Sequence, residues 1–336
     1  MKVNFFTLND NDRSGSYRIW VKDLSRTFNE LNLKSKIKTN ISDIDNDIDV
    51  LIICKSAYKL SKECRAAVGS KVTIGAINID RKYVCKEIDF VIVGSPEEYA
   101  SISSYKNVFI YPLIERKFEK IDRKIHTHDN DILKICFHGH YPHLFKFEPF
   151  LREAIEIYDK NVKKIELNVI TGYKDFDWKV GKPNVKINMF DYNDNITNLI
   201  KENDIGVVPN VSDVRLFVQG IEKITDTDLG LYETDYFMRY KNKTNAGRSY
   251  VFYQHGIPVI HDLSPSSFEL MKITGYHICA HDTSSWFREL KRLTDFSFRE
   301  SMSKSYFDNF RKHYDPLKLG KILINNITEI KNEKNS

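Results

Sequence analysis

Asp89-Phe90-Val91-Ile92-Val93-Gly94-Ser95-Pro96-Glu97-Glu98 carries the pattern that decides the fold. Phe90–Val93 is a short unbroken apolar run rich in β-branched residues, as expected of a strand covered on both faces in a parallel sheet. Ser95 then offers an N-cap oxygen, and Pro96 suits the first helical position, where its missing N–H costs nothing. The segment reads as strand, tight connection, helix.

The same unit recurs on either side. Upstream, Val3–Leu8 reads as a strand and Ser16–Leu33 as an amphipathic helix, with Ile19, Leu24, Phe28 and Leu31 near helical spacing. Val50–Cys54, Val72–Ile79 and Val108–Tyr111 are further strands, and Leu60–Val68 is a helix. Glu115 to Asp131 is charged and lacks apolar periodicity, so it reads as a linker. The alternation then restarts. Leu133–Phe137, Ile165–Thr171, Val185–Met189, Ile205–Val208, Pro258–His261 and Tyr276–Ala280 are predicted strands. Phe147–Tyr158, Ile196–Glu202, Gly247–His255, Ser264–Thr274 and Ser284–Leu293 are predicted helices. Asn210–Lys241 is irregular and rich in aromatic residues. Helical patterns continue to about Lys331, broken at Asp315-Pro316, with a frayed tail over Asn332–Ser336. Alternation repeated about one linker predicts two Rossmann-like, doubly wound α/β domains facing across a cleft. Their expected bounds are 1–115 and 132–295, with the linker over 116–131 and helices over 296–331 packing back toward the first domain.

Length and composition agree with this. The 336 residues are 41% hydrophobic and 29% charged, enough to fill two cores. No apolar run approaches the roughly 18 residues that a bilayer requires. Met1-Lys2-Val3-Asn4-Phe5-Phe6 enters a strand-like run directly, so no signal peptide is expected. Five scattered cysteines without a CxxC pair fit reduced thiols in a cytosol. The expected location is therefore cytoplasmic. Of 51 basic and 46 acidic residues, 22 and 17 fall before His126, an excess of +5, and the remainder balances at 29 against 29. An excess confined to the first half suits an anionic membrane surface or ordinary solubility equally, and no nucleic-acid partner is expected. Lys34, Lys36, Lys38, Lys55, Lys59, Lys62 and Arg65 are the candidate contacts for peripheral attachment at the inner face of a membrane.

In open parallel sheets ligands sit off the carboxyl ends of the strands, which is where chemistry is sought. After the first strand comes Asn9-Asp10-Asn11-Asp12-Arg13-Ser14-Gly15-Ser16, leading into a helix. Gly15 and Ser16 can bring backbone N–H groups near an oxygen-rich ligand, although the loop is not GxGxxG and an Asx-rich turn would read alike. Asp80 ends a predicted strand and could act as general base toward an acceptor hydroxyl, or pair with Arg81 or Lys82; Asp10 and Asp12 are its rivals. His138-x-His140-x-x-His143 invites a metal, but no acidic or thiolate partner stands at ligand spacing. Phosphate or sugar hydrogen bonding suits these histidines better, and no metal is expected. Lys243-Thr244-Asn245-Ala246-Gly247-Arg248 opens a helix whose N–H groups, with Lys243 and Arg248, suit a diphosphate.

Several of these segments resemble, in order and at matching spacing, the GT-B glycosyltransferases, particularly the large group-1 family. Gly15-Ser16 stands where those chains carry a glycine pair, Val21 and Leu24-Ser25 match the helix core, and Asn32-Leu33 stands for Gly-His. Val72–Asp80 resembles the strand ending in His-Asp, Asp89–Ser95 the family's Asp-x-Val-Ile-x-x-Ser, and Val108–Glu115 the strand before the linker. Ile135–His140, followed by Lys146, resembles the donor domain's first strand and loop, where a glycine approaches the donor phosphates. Lys243–Arg248, ending in Gly256-Ile-Pro-Val-Ile260, is similar to the donor-site helix and Gly-x-Pro-Val turn. One departure is plain. Val251 stands where the family often has a ribose-binding glutamate, so sugar recognition would draw on Glu222, Glu233 or Asp235.

The resemblance implies a metal-independent glycosyltransferase with no cofactor beyond its substrate. A nucleotide-sugar donor would bind Gly15, Ser16, His138, Gly139, His140, Lys243, Thr244, Asn245 and Arg248. The acceptor would be a glycan or lipid-linked glycan, as in polysaccharide biosynthesis. A GT-B-like sugar-nucleotide 2-epimerase, or a non-catalytic sugar- or nucleotide-binding protein, would share the fold and the pocket.

Overall fold

The computed structural model describes residues 1–336 apart from 13, 56, 80–82, 103–104, 140–143, 145–148, 173–181, 193–194, 210–245 and 263. It divides into two compact units, one formed by Met1–Arg116 with Tyr314–Ser336, the other by Lys117–His313. The helix Phe296–His313 stays with the second unit, and only the segment from Tyr314 onward returns to the first.

The first unit is built on a six-stranded, wholly parallel sheet: β1 (Lys2–Phe6), β2 (Lys34–Lys38), β3 (Val50–Ile53), β4 (Thr73–Ile77), β5 (Phe90–Val93) and β6 (Val108–Ile110), in the order β2-β1-β3-β4-β5-β6. Successive side chains of a strand point to opposite faces, and here both faces are covered. Phe5 and Ile52 pack with Trp20, Leu24 and Phe28, and with Leu323 and Ile327 of the helix Pro316–Asn335. Phe6, Leu51 and Ile53 pack with Ile44, Cys64 and Ile74 on the other side. The terminal helix approaches its neighbour closely, since a Cβ on Gly320 would lie 2.5 Å from Thr27 Cγ2. Ser95 caps Pro96–Ile102 as its sequence predicts, its Oγ accepting from Glu98 N at 3.2 Å.

The second unit carries a five-stranded parallel sheet: β7 (Ile132–His138), β8 (Lys164–Ile170), β9 (Lys186–Phe190), β10 (Ile205–Val208) and β11 (Val259–His261), in the order β11-β10-β7-β8-β9. The helix Gly247–His255 is buried from Ser249 to His255. Phe252 fills the space beside Gly206 of β10, and Tyr253 stacks on Tyr306 of Phe296–His313 with ring centroids 3.9 Å apart.

Four local expectations change. Lys34–Lys38, unassigned from its sequence, is the edge strand β2; its lysine-rich pattern, with Lys36 and Lys38 paired to Asp45, suits an edge guarded against intermolecular pairing. Tyr276–Ala280 makes only an isolated bridge, His261 to Cys279. The charged stretch after Arg116 is pinned into the second unit: Lys124 N donates to His255 O, Arg123 binds Glu300 at 2.6 Å, and His126 N donates to Glu300 at 2.8 Å. The C-terminal tail is helical to Asn335, anchored by Lys331 on Asp49 and Lys334 on Asp89. All five cysteines are free, and among the described residues no helix is long and apolar enough to cross a membrane.

Candidate active site

Each sheet changes direction once. From β1 the chain places β2 on one side and β3 to β6 on the other; from β7 it places β8 and β9 on one side and β10 and β11 on the other. A crevice opens beyond the strand ends wherever the order reverses, because the two connections leave in opposite directions. The candidate residues cluster at these two points.

In the second unit, β7 ends at His138 and the chain turns at Gly139, whose φ of +119° lies where side chains are strained. Its missing Cβ is filled by a neighbour: a Cβ built there would stand 3.0 Å from Arg248 Cδ. Arg248 is the second residue of the helix Gly247–His255, which follows the segment leaving β10. Arg248 is half-buried, and desolvation of its guanidinium lowers its pKa to about 10, opposed by the nearby Asp262 carboxylate. It therefore remains cationic at neutral pH. Its Cζ lies 5.6 Å from the centroid of the Phe137 ring. His138 Nε2 hydrogen-bonds the carbonyl oxygen of Arg248 at 2.8 Å, and its ring meets Phe252 edge-on at 4.8 Å. Gly139, His138 and Arg248 are thus brought together. Asp262, buried after β11, was not anticipated; nothing in its local sequence signals a counter-charge to Arg248.

His140, Lys243, Thr244 and Asn245 lie outside the described residues, as do Lys146, Glu222, Glu233 and Asp235. Val251 is buried on its helix. Among the described residues no three His, Cys, Asp or Glu side chains group so as to hold a metal ion. His261 has a packing role instead: it is wholly buried, its Nδ1 2.9 Å from Ser249 Oγ and its Nε2 3.1 Å from Tyr253 OH, and desolvation lowers its pKa to about 3.

In the first unit, the helix after β1 starts at Gly15, runs as Gly15–Tyr17, widens into a π-helical Arg18–Asp23, and continues as Leu24–Glu30. Ser16 Oγ lies 2.9 Å from Ser14 Oγ. Arg18 ties the loop down, donating to Asp12 O and to the buried Glu115, each at 2.8 Å. Asp12 is exposed and its carboxylate pairs with Lys22 at 2.8 Å, while Asp10 is exposed. Asp80 lies outside the described residues. A cavity of about 20 Å³ opens at this switch point, lined by Thr7, Ser16, Tyr17, Trp20, Cys54 and Ile77 among others. Trp20, not singled out from the sequence, stands four residues before Leu24 and eight before Phe28 and packs with both in the core.

No protein-family model and no curated protein matches this chain. Solved structures do. A sucrose-phosphate synthase from Thermosynechococcus elongatus superposes with a TM-score of 0.64 at 9% identity, over 98% of this chain and 99% of that one. An alpha-glucosyltransferase in complex with UDP-glucose and abasic-site DNA gives 0.61 at 11% identity, over 98% and 99%. TarM of S. aureus, in complex with UDP, gives 0.52 at 12% identity, over 82% of this chain and 55% of that one. The chain has the GT-B fold. It spans about half the length of TarM and nearly all of the other two.

Proposed function

We propose that this GT-B chain is a glycosyltransferase that moves a sugar from a nucleotide-sugar donor to a glycan or lipid-linked glycan acceptor without a bound metal ion. The observation that carries the proposal is the junction of Gly139 and Arg248. A backbone turn without a side chain meets the half-buried Arg248 and the N-terminus of Gly247–His255 at the carboxyl end of β7. The guanidinium brings positive charge to this turn, and a helix N-terminus adds partial positive charge. Both effects strengthen as a leaving phosphate gains charge, the role a metal would otherwise fill. His138, Gly139 and Arg248, with His140, Lys243, Thr244 and Asn245, form the donor set; Gly15 and Ser16 are the first unit's candidates for contact with an oxygen-rich ligand. Asp80, Asp10 and Asp12 are the candidate bases. Asp12 would have to leave Lys22 to serve.

The 2-epimerase and non-catalytic alternatives are less well supported, since solved structures that align over nearly the whole chain include a sucrose-phosphate synthase and an alpha-glucosyltransferase. The free cysteines support a reducing, cytoplasmic setting. Peripheral attachment to an anionic inner membrane face is part of the proposal and rests on Lys55, Lys59 and Lys62.

A thermal-shift screen of nucleotides and sugar nucleotides tests the reading. A ligand at 100 times its Kd should stabilise the fold by about 2.7 kcal/mol. Release of nucleotide only when acceptor is present then identifies transfer; altered sugar without release identifies epimerisation. Absence of any nucleotide-induced shift removes the reading.

A further inference from the structure

The first unit is assembled from two stretches of chain, Met1–Arg116 and Tyr314–Ser336, with the whole of the second unit inserted between them. The join is made in the core. Leu323, Ile327 and Ile330 of the helix Pro316–Asn335 are buried in the cluster that holds Val3 and Phe5 of β1 and Val50 and Ile52 of β3. Lys331 binds Asp49, just ahead of β3, and Lys334 binds Asp89, just ahead of β5. Met1–Arg116 therefore lacks part of its own core until the last helix arrives. Bringing that helix in directly means closing a loop of roughly 200 residues, and both the entropy cost and the delay grow with such separation.

The second unit removes most of that length. Within it, the stretch that follows Lys117 and the helix that ends at His313 are tied to one another. Arg311 donates to Ile121 O, Arg123 binds Glu300 at 2.6 Å, and Ser303 donates to Lys124 O at 3.0 Å. Gly256 makes room for this tie: a Cβ built there would stand 2.4 Å from Arg123 Cγ. Once these contacts exist, the loop left to close runs only from Arg116 to Ile121 and from Arg311 to Tyr314, roughly ten residues. Its far side is preset for a helix, with Pro316 at the first position and Asp315 Oδ1 accepting from Leu317 N at 2.8 Å. We propose that the second unit folds first and delivers the terminal helix to the first unit, whose core is completed last although most of its chain is synthesised first. The dependence is one-sided. In the native protein the order runs backward, so the second unit opens only from molecules in which the first has already opened.

Pulse-labelling hydrogen exchange on the full wild-type chain tests the order. After dilution from urea, amides of β7, β8 and Phe296–His313 should become protected in an earlier phase than those of β1, β3 and Pro316–Asn335, which should gain protection together. Protection of β1 and β3 before β7 and β8, or in the same phase, overturns the proposal. Native-state exchange, under conditions where it follows the opening equilibrium, tests the one-sidedness with two conservative core variants. Ile327→Val, in the terminal helix, should speed exchange about fivefold in β1 and β3 and equally in β7 and β8, because the second unit opens only after the first. Ile135→Val, in β7, should speed exchange by a similar factor in β7 and β8 alone. Unchanged β7 and β8 in Ile327→Val would make the units independent, and faster β1 and β3 in Ile135→Val would reverse the order; either overturns the proposal. No ligand enters these experiments, so their outcome is separate from the transferase reading.

Discussion

His138 Nε2 lies 2.8 Å from the carbonyl oxygen of Arg248, a residue 110 positions later in the chain. A carbonyl can only accept, so Nε2 carries a proton. This bond ties the end of β7 to the first turn of Gly247–His255, the helix proposed to meet the donor. Replacing His138 by alanine removes the bond and leaves space beside Phe252. His138→Ala is expected to lose about 1–3 kcal/mol of stability and to weaken nucleotide-sugar binding about tenfold. Denaturant unfolding and calorimetric titration check the two effects; unchanged donor affinity would separate His138 from the site.

Gly139→Ala tests the close approach directly. The left-handed φ of +119° strains any side chain, and the new Cβ would stand 3.0 Å from Arg248 Cδ, tighter than ordinary contact. The chain must shift the turn or the guanidinium. A stability loss of roughly 1–3 kcal/mol is expected from the backbone alone. Because Arg248 is displaced, donor Kd should rise more than a neutral surface loop change would produce. Wild-type donor affinity in a folded Gly139→Ala variant would show that Arg248 position is irrelevant to binding.

Arg248→Ala removes a charge-assisted contact that gains strength as the leaving phosphate gains charge. kcat/KM should fall on the order of 100-fold, equivalent to about 3 kcal/mol of transition-state stabilisation. The buried Asp262 would lose a neighbouring cation, so melting temperature must be measured alongside. Arg248→Ala/Asp262→Asn should recover the stability lost by the single variant without recovering turnover. Full activity in a folded Arg248→Ala protein would remove Arg248 from the site.

The strand–helix alternation was legible because buried parallel strands leave uninterrupted apolar runs: Phe90–Val93, Val50–Ile53 and Ile205–Val208 appear at or within a residue of their predicted bounds. β2 escaped notice because an edge strand has only one covered side, and Lys34-Ser35-Lys36-Ile37-Lys38 hides its alternation among charges. Ser35, the residue that faces inward, meets Ser25 at 2.7 Å rather than an apolar neighbour. Gly139 and Arg248 could be named from motif and spacing, but their contact depends on where two chain crossings meet, which spacing does not encode. Asp262 and Trp20 were invisible for related reasons. The first acts through a residue distant in sequence, and the second shows its part in the core only through its packing with Leu24 and Phe28.

The basic excess of the first unit is less available than a residue count implies. Lys36 and Lys38 pair with Asp45, Arg65 with Asp89, Lys22 with Asp12, and Lys2 with Asp47. Lys55, Lys59 and Lys62 remain around the start of Ser61–Val68, with Lys59 Nζ 5.7 Å from the centroid of the Tyr83 ring. Each lysine near an anionic surface contributes about 1 kcal/mol, screened beyond about 8 Å at physiological salt. Replacing these three with glutamine should therefore reduce partitioning onto anionic vesicles on the order of 100-fold at low salt. Vesicle co-sedimentation checks this. Equal binding to neutral and anionic vesicles, or an unaffected triple variant, would assign the charge to solubility alone.

Asp23 gives the first unit a pH dependence of unusual sign. Its carboxylate accepts from Arg116 N at 2.9 Å, yet burial raises its pKa from 3.8 to about 6, with Glu115 adding to the rise and Arg116 and Arg26 opposing it. The folded chain thus holds this proton more tightly than the unfolded chain. Above pH 6 both states are ionised at Asp23 and the fold bears the cost of a buried charge. As pH falls through 6 toward 4, protonation relieves that cost by up to about 3 kcal/mol. Asp45 and Asp49, held low by lysines, act oppositely and only in more acid solution. Comparison with Asp23→Asn isolates the group, since asparagine can still accept from Arg116 but cannot ionise. Asp23→Asn should be more stable than wild type at pH 7.5, and the advantage should vanish near pH 4.5. Urea unfolding at both pH values measures it; an advantage of the same size at each would mean that Asp23 titrates as an ordinary carboxylate.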